Sequence, residues 1–332
     1  MKDHNEIYSF ACRALNIDKN DNAAMDALSA RGSDRTFYRL VWNETSAIVI
    51  DYDPVRCENN YYADIARFLK GMYVPVPEVL AHDPEKKLMI LEDLGDRDLD
   101  SFRNHEWPSR RALYHKTLGA VKRLHRISAQ NLPHNVRLME DFSPALYLDE
   151  QNYFIDFFVK GYCDISPESP FEVRLRSELA GLSDRLEKAE RCLIHRDLQS
   201  QNVMIRNDDP YFIDFQGMRI GNPFYDLGSL LCDPYAPIGP DDREELLSFY
   251  YVLSSQELDW DTFRNNFWEA SVERLMQALG AYGFLGKVKG LDKFLEYIPS
   301  GLANLKLAAS HVPSVPALRD LVELCQLMLG KS

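Results

Sequence analysis

The chain of 332 residues lacks any run of about 18 apolar residues, so no stretch has the length to cross a bilayer as a helix. Its polar opening, Met1 to Glu6, lacks the apolar core of a secretory leader, and the expected location is the cytoplasm. Positive charge is scarce. With 38 Lys and Arg against 51 Asp and Glu, the net charge of −13 argues against general affinity for nucleic acid or for an anionic membrane. It does not exclude a small anionic substrate, because a few buried cations can dominate a local site. Cysteine is sparse too: Cys12, Cys57, Cys163, Cys192, Cys232 and Cys325 form no C-x-x-C pair and have no histidine cluster beside them. Neither a zinc site nor a redox dithiol is therefore indicated. No internal repeat or low-complexity tract is present. The remaining composition, 45% apolar and 27% charged, is ordinary for a globular chain. Its length suggests two domains, or one domain of two lobes, each burying its own core.

The first hundred residues read as strands. Met25 to Ala30, Thr36 to Trp42 and Ala47 to Asp51 are apolar or β-branched runs separated by the turn sequences Arg31-Gly32-Ser33-Asp34 and Asn43-Glu44. Glu58 to Leu69 has helical spacing, Gly71 ends it, and Val74 to Pro77 runs extended. Two further strands, Glu78 to His82 and Lys87 to Glu92, precede a turn at Asp93-Leu94-Gly95-Asp96. Beyond it the pattern turns helical, from Trp107-Pro108 through Ser128, over Pro144 to Tyr162 and over Phe171 to Arg191. A strand-rich stretch, Leu193 to Asp214, interrupts the helices, which then continue to the end. The expected division is a β-rich lobe over 1–93 and a larger helical lobe over 94–332, with a small-molecule cleft between them.

The most specific signal is His195-Arg196-Asp197-Leu198-Gln199-Ser200-Gln201-Asn202, followed by the apolar run Val203-Met204-Ile205. A second apolar run, Tyr211-Phe212-Ile213, ends in Asp214-Phe215-Gln216-Gly217, with Asp214 placed 17 residues after Asp197. The pair resembles the catalytic loop H-R-D-x-x-x-x-N and the metal-binding D-F-G of kinases. Phosphoryl transfer needs a carboxylate to orient or deprotonate the attacking hydroxyl, the role expected of Asp197. It also needs hard oxygen ligands for Mg²⁺, which Asn202 and Asp214 would supply. Asp and Asn also populate strand-to-loop junctions as turn and cap residues, which is the other reading of all three. His195 and Arg196 are expected to orient the loop, and His125 to be a hydrogen-bonded structural histidine.

Together with Leu124-His125 and Tyr225-Asp226-Leu227, these motifs resemble the aminoglycoside phosphotransferase and choline kinase-like superfamily. Protein kinases match less well, since no A-P-E segment follows Asp214. Within the superfamily, Gly32 to Arg39, Ile48 to Asp51, Leu91 to Asp96, Asp214 to Arg219 and Leu230 to Tyr235 are similar to bacterial anomeric kinases of N-acetylmuramate and N-acetylglucosamine. The resemblance, spanning about residues 28 to 236, implies an α+β, protein kinase-like bilobal fold and an ATP- and Mg²⁺-dependent enzyme. Its acceptor would be a sugar hydroxyl, at the anomeric position of an N-acetyl amino sugar in cell-wall recycling. Asp226 would buttress the catalytic loop; a carboxylate favouring the helix dipole is the alternative.

The nucleotide side departs from the kinase pattern. Gly32 to Thr36 stands where a phosphate-covering loop belongs, so Ser33, Asp34, Arg35 and Thr36 are candidate phosphate contacts, with an ordinary hairpin turn as the other reading. The strand Ala47 to Asp51 has no lysine. Arg35, Arg39 or the metal must then supply the missing charge, or the chain is a nucleotide-binding pseudokinase. Glu58 is either a pairing glutamate or a solvated carboxylate. Glu92 to Leu94 would meet the adenine edge through the backbone. Arg219 reads as a phosphate or substrate contact or as a surface salt bridge, Asp233 and Tyr235 as acceptor-pocket residues, and Asp241 to Glu245 as a solvated helix start. An aminoglycoside, a choline-like alcohol or homoserine is the alternative acceptor.

Overall fold

Asn43 and Glu44 both take positive φ, 42° and 63°, which matches the twist of a tight two-residue hairpin and joins β2 (Thr36–Trp42) to β3 (Thr45–Asp51). With β1 (Ala24–Leu28), β4 (Val79–Asp83) and β5 (Leu88–Glu92) they form one antiparallel sheet in the order β1-β2-β3-β5-β4. The structure is a computed structural model and describes residues 2–18, 21–28, 35–254 and 257–330.

Alternation along the strands divides the apolar residues between two faces. Leu40, Ala47, Val49, Leu88 and Ile90 pack under α1 (His4–Ala14), against Ile7, Phe10 and Ala11. Ile50, Met89 and Leu91 point the other way, onto Ile65, Ala66 and Leu69 of α2 (Tyr62–Gly71). That second face is continuous with the core of the helical part, so the strand lobe encloses one core of its own under α1 and shares a second with the helical lobe. The helix α1 has no counterpart in the sequence reading, although Ile7, Phe10, Ala11 and Ala14 recur at helical spacing. Glu58 lies in a short 3₁₀ turn, Cys57–Asn60, before α2 rather than opening it.

The helical lobe contains α3 (Trp107–His125), α4 (Pro144–Tyr153), α5 (Phe171–Glu187), α6 (Pro223–Leu231), α7 (Pro240–Ser254), α8 (Trp260–Gly283), α9 (Ile298–Ser310) and α10 (Pro316–Leu329). α4 continues as one π-helical stretch, Phe154–Lys160, so the expected helix over Pro144 to Tyr162 is present but wider at its end. α8 is buried on nearly all sides and passes against α6. A Cβ on Gly228 would lie 2.9 Å from Ser271 Cα, so glycine permits this close approach. Short strands carry the expected interruption: β6 (Cys192–Ile194) pairs with β9 (Arg219–Gly221), and β7 (Val203–Arg206) with β8 (Asp209–Phe212). Arg243 corrects the expectation of a wholly solvated start to α7. It is 4% exposed and donates to the Leu231 and Ile238 carbonyls at 2.8 and 3.1 Å. No helix among the described residues is long and apolar enough to cross a membrane.

Candidate active site

The loop after β6 is held from below by one carboxylate. Asn222 caps α6 by accepting from the Phe224 amide at 2.9 Å, with Pro223 at the first helical position, and this sets Asp226 in the first turn. Asp226 is fully buried and accepts from the His195 amide at 2.7 Å and the Arg196 amide at 2.8 Å. His125 Nε2 stands 3.0 Å from the same carboxylate, and its Nδ1 is 2.8 Å from the Tyr250 hydroxyl. Arg196 has φ of +76°, a left-handed conformation that costs a non-glycine residue roughly 1–2 kcal/mol and is held by the paired acceptors beneath it. His195, fully buried, donates from Nε2 to the Ile213 carbonyl at 2.9 Å and so ties the catalytic loop to the strand leading into Asp214.

The loop presents Asp197 at the surface of the cleft, with 32% of its side chain exposed. Arg274 of α8 donates to Asp197 Oδ1 at 2.6 Å and to Ser229 Oγ at 3.0 Å. Asn202 donates from Nδ2 to the Asp197 carbonyl at 2.9 Å, while the Asn202 carbonyl accepts from the Ile213 amide at 3.0 Å. Asn202 and Asp214 are thereby brought to one place. With its amide nitrogen turned to Asp197, Asn202 has Oδ1 left as a hard donor beside a carboxylate. That set suits Mg²⁺, which takes few protein ligands and keeps water and phosphate oxygens. Asp214 itself is left-handed, φ 61°, which Asp tolerates better than most residues. Burial raises its carboxyl, but Arg35, Gln216 and His195 outweigh that and hold it below the usual value.

The two arginines offered for the missing strand lysine are separated by the fold. Arg35, 9% exposed, pairs with Asp214, donates to Gln216 Oε1 at 3.2 Å and stands 5.4 Å from the centre of the Phe37 ring. Arg39 goes instead to the interlobe turn, with Asp93 and Asp96 both at 2.7 Å. Thr36 opens β2 opposite Asp51, while Ser33 and Asp34 lie outside the described residues. Glu92 pairs with Arg206 across the lobes, and its amide is taken by the Glu78 carbonyl at 2.9 Å. Leu94 is buried.

Asp233 and Tyr235 are more enclosed than an acceptor pocket requires. The Asp233 carboxylate accepts from the Ser200 amide at 2.6 Å and the Tyr235 amide at 2.9 Å, and the crevice it lines with Gln199, Ser229 and Arg274 has a volume of about 10 Å³. That space is about the size of one water molecule. Tyr235 is 5% exposed and packs against Tyr282 and Tyr297. Arg219 is not a surface residue: it is 8% exposed and lies over Phe142 at 5.2 Å.

Sequence reasoning missed Arg274 and Glu150. Glu150 is 6% exposed, accepts from Arg196 at 3.2 Å and from the Tyr225 hydroxyl at 2.8 Å. The available signal was two charged residues, Glu273 and Arg274, set within a helix whose neighbours Val272, Leu275 and Met276 are apolar. A charge in such a place requires a buried partner.

A sheet lobe over a helical lobe, with H-R-D, Asn and D-F-Q converging in the cleft, defines a kinase-like phosphotransferase. Residues 26–278 match the phosphotransferase enzyme family, aminoglycoside phosphotransferases among them, and the chain belongs to it. It is 22% identical over 300 residues to an N-acetylmuramate/N-acetylglucosamine kinase of Pseudomonas aeruginosa, covering 89% of this chain and 86% of that one. It is 24% identical to the protein of that name from Neisseria meningitidis serogroup B, covering 87% of each. The fold is shared with the gentamicin complex of APH(2")-IIa (TM-score 0.60, 18% identity, 92% of this chain and 96% of that one). It is shared also with choline kinase LicA from Streptococcus pneumoniae (TM-score 0.62, 15% identity, 91% and 98%). The expected bilobal α+β fold and family are borne out, and the chain is an ATP-dependent phosphotransferase acting on a hydroxyl.

Proposed function

We propose that this enzyme phosphorylates the anomeric hydroxyl of an N-acetyl amino sugar, in the cytoplasm and in the service of cell-wall recycling. The observation that carries the choice of acceptor is the charge around Asp197. Arg274 touches the Asp197 carboxylate, and Arg196 pairs with Glu150. Arg219, opposite Ile194 on the strand leading into the loop, has no carboxylate within 4.0 Å among the described residues and supplies uncompensated positive charge. A cationic aminoglycoside, choline or amino alcohol would meet like charge there, whereas a neutral or acidic sugar would not. The kinases of N-acetylmuramate and N-acetylglucosamine found among the relatives support the same reading.

In this mechanism Asp197 accepts the proton of the sugar hydroxyl as its oxygen attacks the γ-phosphorus of ATP. The new O–P bond forms as the bond from that phosphorus to the β,γ-bridging oxygen breaks, and ADP leaves. Arg274 fixes the Asp197 carboxylate and Asn202 the Asp197 carbonyl, so the orientation of the side chain is set before the acceptor arrives. Asn202 Oδ1 and Asp214 would hold Mg²⁺, which when bound offsets charge on the phosphate oxygens. Arg35, paired with Asp214, takes the place of the strand lysine as the cation on the phosphate side. With the amides of Glu92 and Gly95 already bonded, adenine recognition falls to the backbone around Leu94. Asp233 and Tyr235 shape the acceptor side from behind.

The test is ATP consumption by the full chain with N-acetylmuramate, N-acetylglucosamine, hexoses, aminoglycosides and amino alcohols, in the presence of Mg²⁺. Amino-sugar-dependent turnover giving a 1-phosphate is expected. Turnover only with a cationic acceptor would replace this reading, and no acceptor-stimulated turnover would favour a pseudokinase.

A further inference from the structure

A buried cation near the catalytic loop, Arg219, has no carboxylate partner among the described residues. Arg219 lies on β9, five residues after Asp214, and is more than nine-tenths buried. Its Nε donates to the Gly217 carbonyl at 3.3 Å, and its guanidinium faces the Phe142 ring. The two terminal nitrogens make no hydrogen bond to a described residue, yet they are not sealed and keep a small accessible face. No described carboxylate lies within 4.0 Å of it. Glu150, the carboxylate whose charge acts most on Arg219, is bonded by Arg196 and Tyr225. Glu273 is buried and accepts from Gln151 at 2.9 Å, and burial, then the Glu150 charge, pushes its carboxyl above the usual range. Burial and then the like charge of Arg196 pull Arg219 below the ordinary arginine value, although a guanidinium stays charged.

A buried, unpaired guanidinium is costly to keep, and a ligand anion arriving at its open face would relieve that cost. The planar fork suits a carboxylate, which it can bind through two parallel N–H bonds. The reacting phosphoryl group is the less suitable anion. Arg274 is the guanidinium that touches Asp197, whereas the charges acting most strongly on Arg219 are those of Arg196, Glu150 and Glu140. Arg219 is paired across β9 and β6 with Ile194, three residues before Asp197, so a substituent of an acceptor held at Asp197 is the anion suited to its open face.

We propose that Arg219 is the receptor for a carboxylate carried by the acceptor, so that the enzyme prefers an acidic amino sugar to its neutral counterpart. The inference rests on the sugar-kinase reading. The experiment measures kcat/KM of the full chain for N-acetylmuramate and N-acetylglucosamine and follows their ratio. The wild type should favour the acidic sugar. Arg219→Gln should lower that ratio about tenfold or more, chiefly through KM, which corresponds to about 1.4 kcal/mol. Arg219→Lys, which keeps the charge and loses the fork, should recover part of it. An Arg219→Gln enzyme slowed equally on both sugars shows a merely structural role and overturns the proposal, as does a wild type without preference. Turnover of neither sugar removes the sugar-kinase reading and this inference with it; equal turnover of both removes the inference alone. Should Arg219→Gln fail to fold, wild-type melting decides. N-Acetylmuramate should raise Tm more than N-acetylglucosamine at equal concentration, and equal shifts would overturn the proposal.

Discussion

Asp226 and Arg39 each pin a piece of chain at the edge of the cleft, but in different media. Asp226, without solvent exposure, binds two backbone amides and His125. Arg39 keeps 23% of its side chain exposed, and one of its two carboxylate partners, Asp96, is 80% exposed. The exposed pair is screened and contributes at most about 1 kcal/mol, while loss of a buried, multiply bonded carboxylate costs about 3–5 kcal/mol. The catalytic-loop side is therefore rigid before substrate binds. The strand side carries its charges on long side chains that can rearrange around a nucleotide.

Substitutions on the two sides should separate in size. Asp197→Asn is expected to lower kcat by about 10²–10⁴-fold with Mg-ATP affinity nearly unchanged; near-normal turnover would remove Asp197 from the mechanism. Asp226→Ala should cost about 3–5 kcal/mol in denaturant unfolding and abolish activity through the loop, and a loss below about 1 kcal/mol would erase the contrast between the two sides. Arg35→Gln should weaken ATP binding about tenfold by titration, whereas Arg39→Gln should change it less than threefold. Equal effects would mean that the strand side does not distinguish its two arginines.

The smallest effect is a pH dependence. Burial, the largest influence on Asp233, outweighs its hydrogen bonds to Ser200 and Tyr235 and pushes the carboxyl up to about 6 from 3.8. The folded state thus holds this proton more tightly than the unfolded one. The resulting stability is complete below pH 3.8 and is lost as pH rises through about 6. Asp233→Asn removes this titration, so the difference in Tm between wild type and variant should drift across about pH 4–6. Parallel curves would show that Asp233 titrates normally.

Local chemistry made much of the fold legible. The hairpin at Asn43-Glu44, the alternation in β2, β3 and β5, and the helical spacing of α3 are each properties of a short stretch, and each was readable. α1 was not recognised, and the sheet face it covers is formed by Leu40, Ala47, Val49, Leu88 and Ile90, 29 to 83 positions from Ile7, Phe10 and Ala11. Similarly, the catalytic motif occupies eight consecutive residues, but its buttress Asp226, its partner Arg274 and the Glu150–Arg196 pair come from α6, α8 and α4.

By itself the sequence determined the strand lobe and the helical lobe and singled out Asp197, Asn202 and Asp214 as candidates, because strand periodicity and a contiguous loop motif are written into neighbouring residues. Only the tertiary structure decided which arginine serves which carboxylate. Arg35, just before β2, and Arg39, within it, lie four residues apart and go to different places, and Arg274 reaches Asp197 from 77 residues away. Long flexible cations take the partners that packing brings near and that burial leaves uncompensated, and neither condition can be read along the chain.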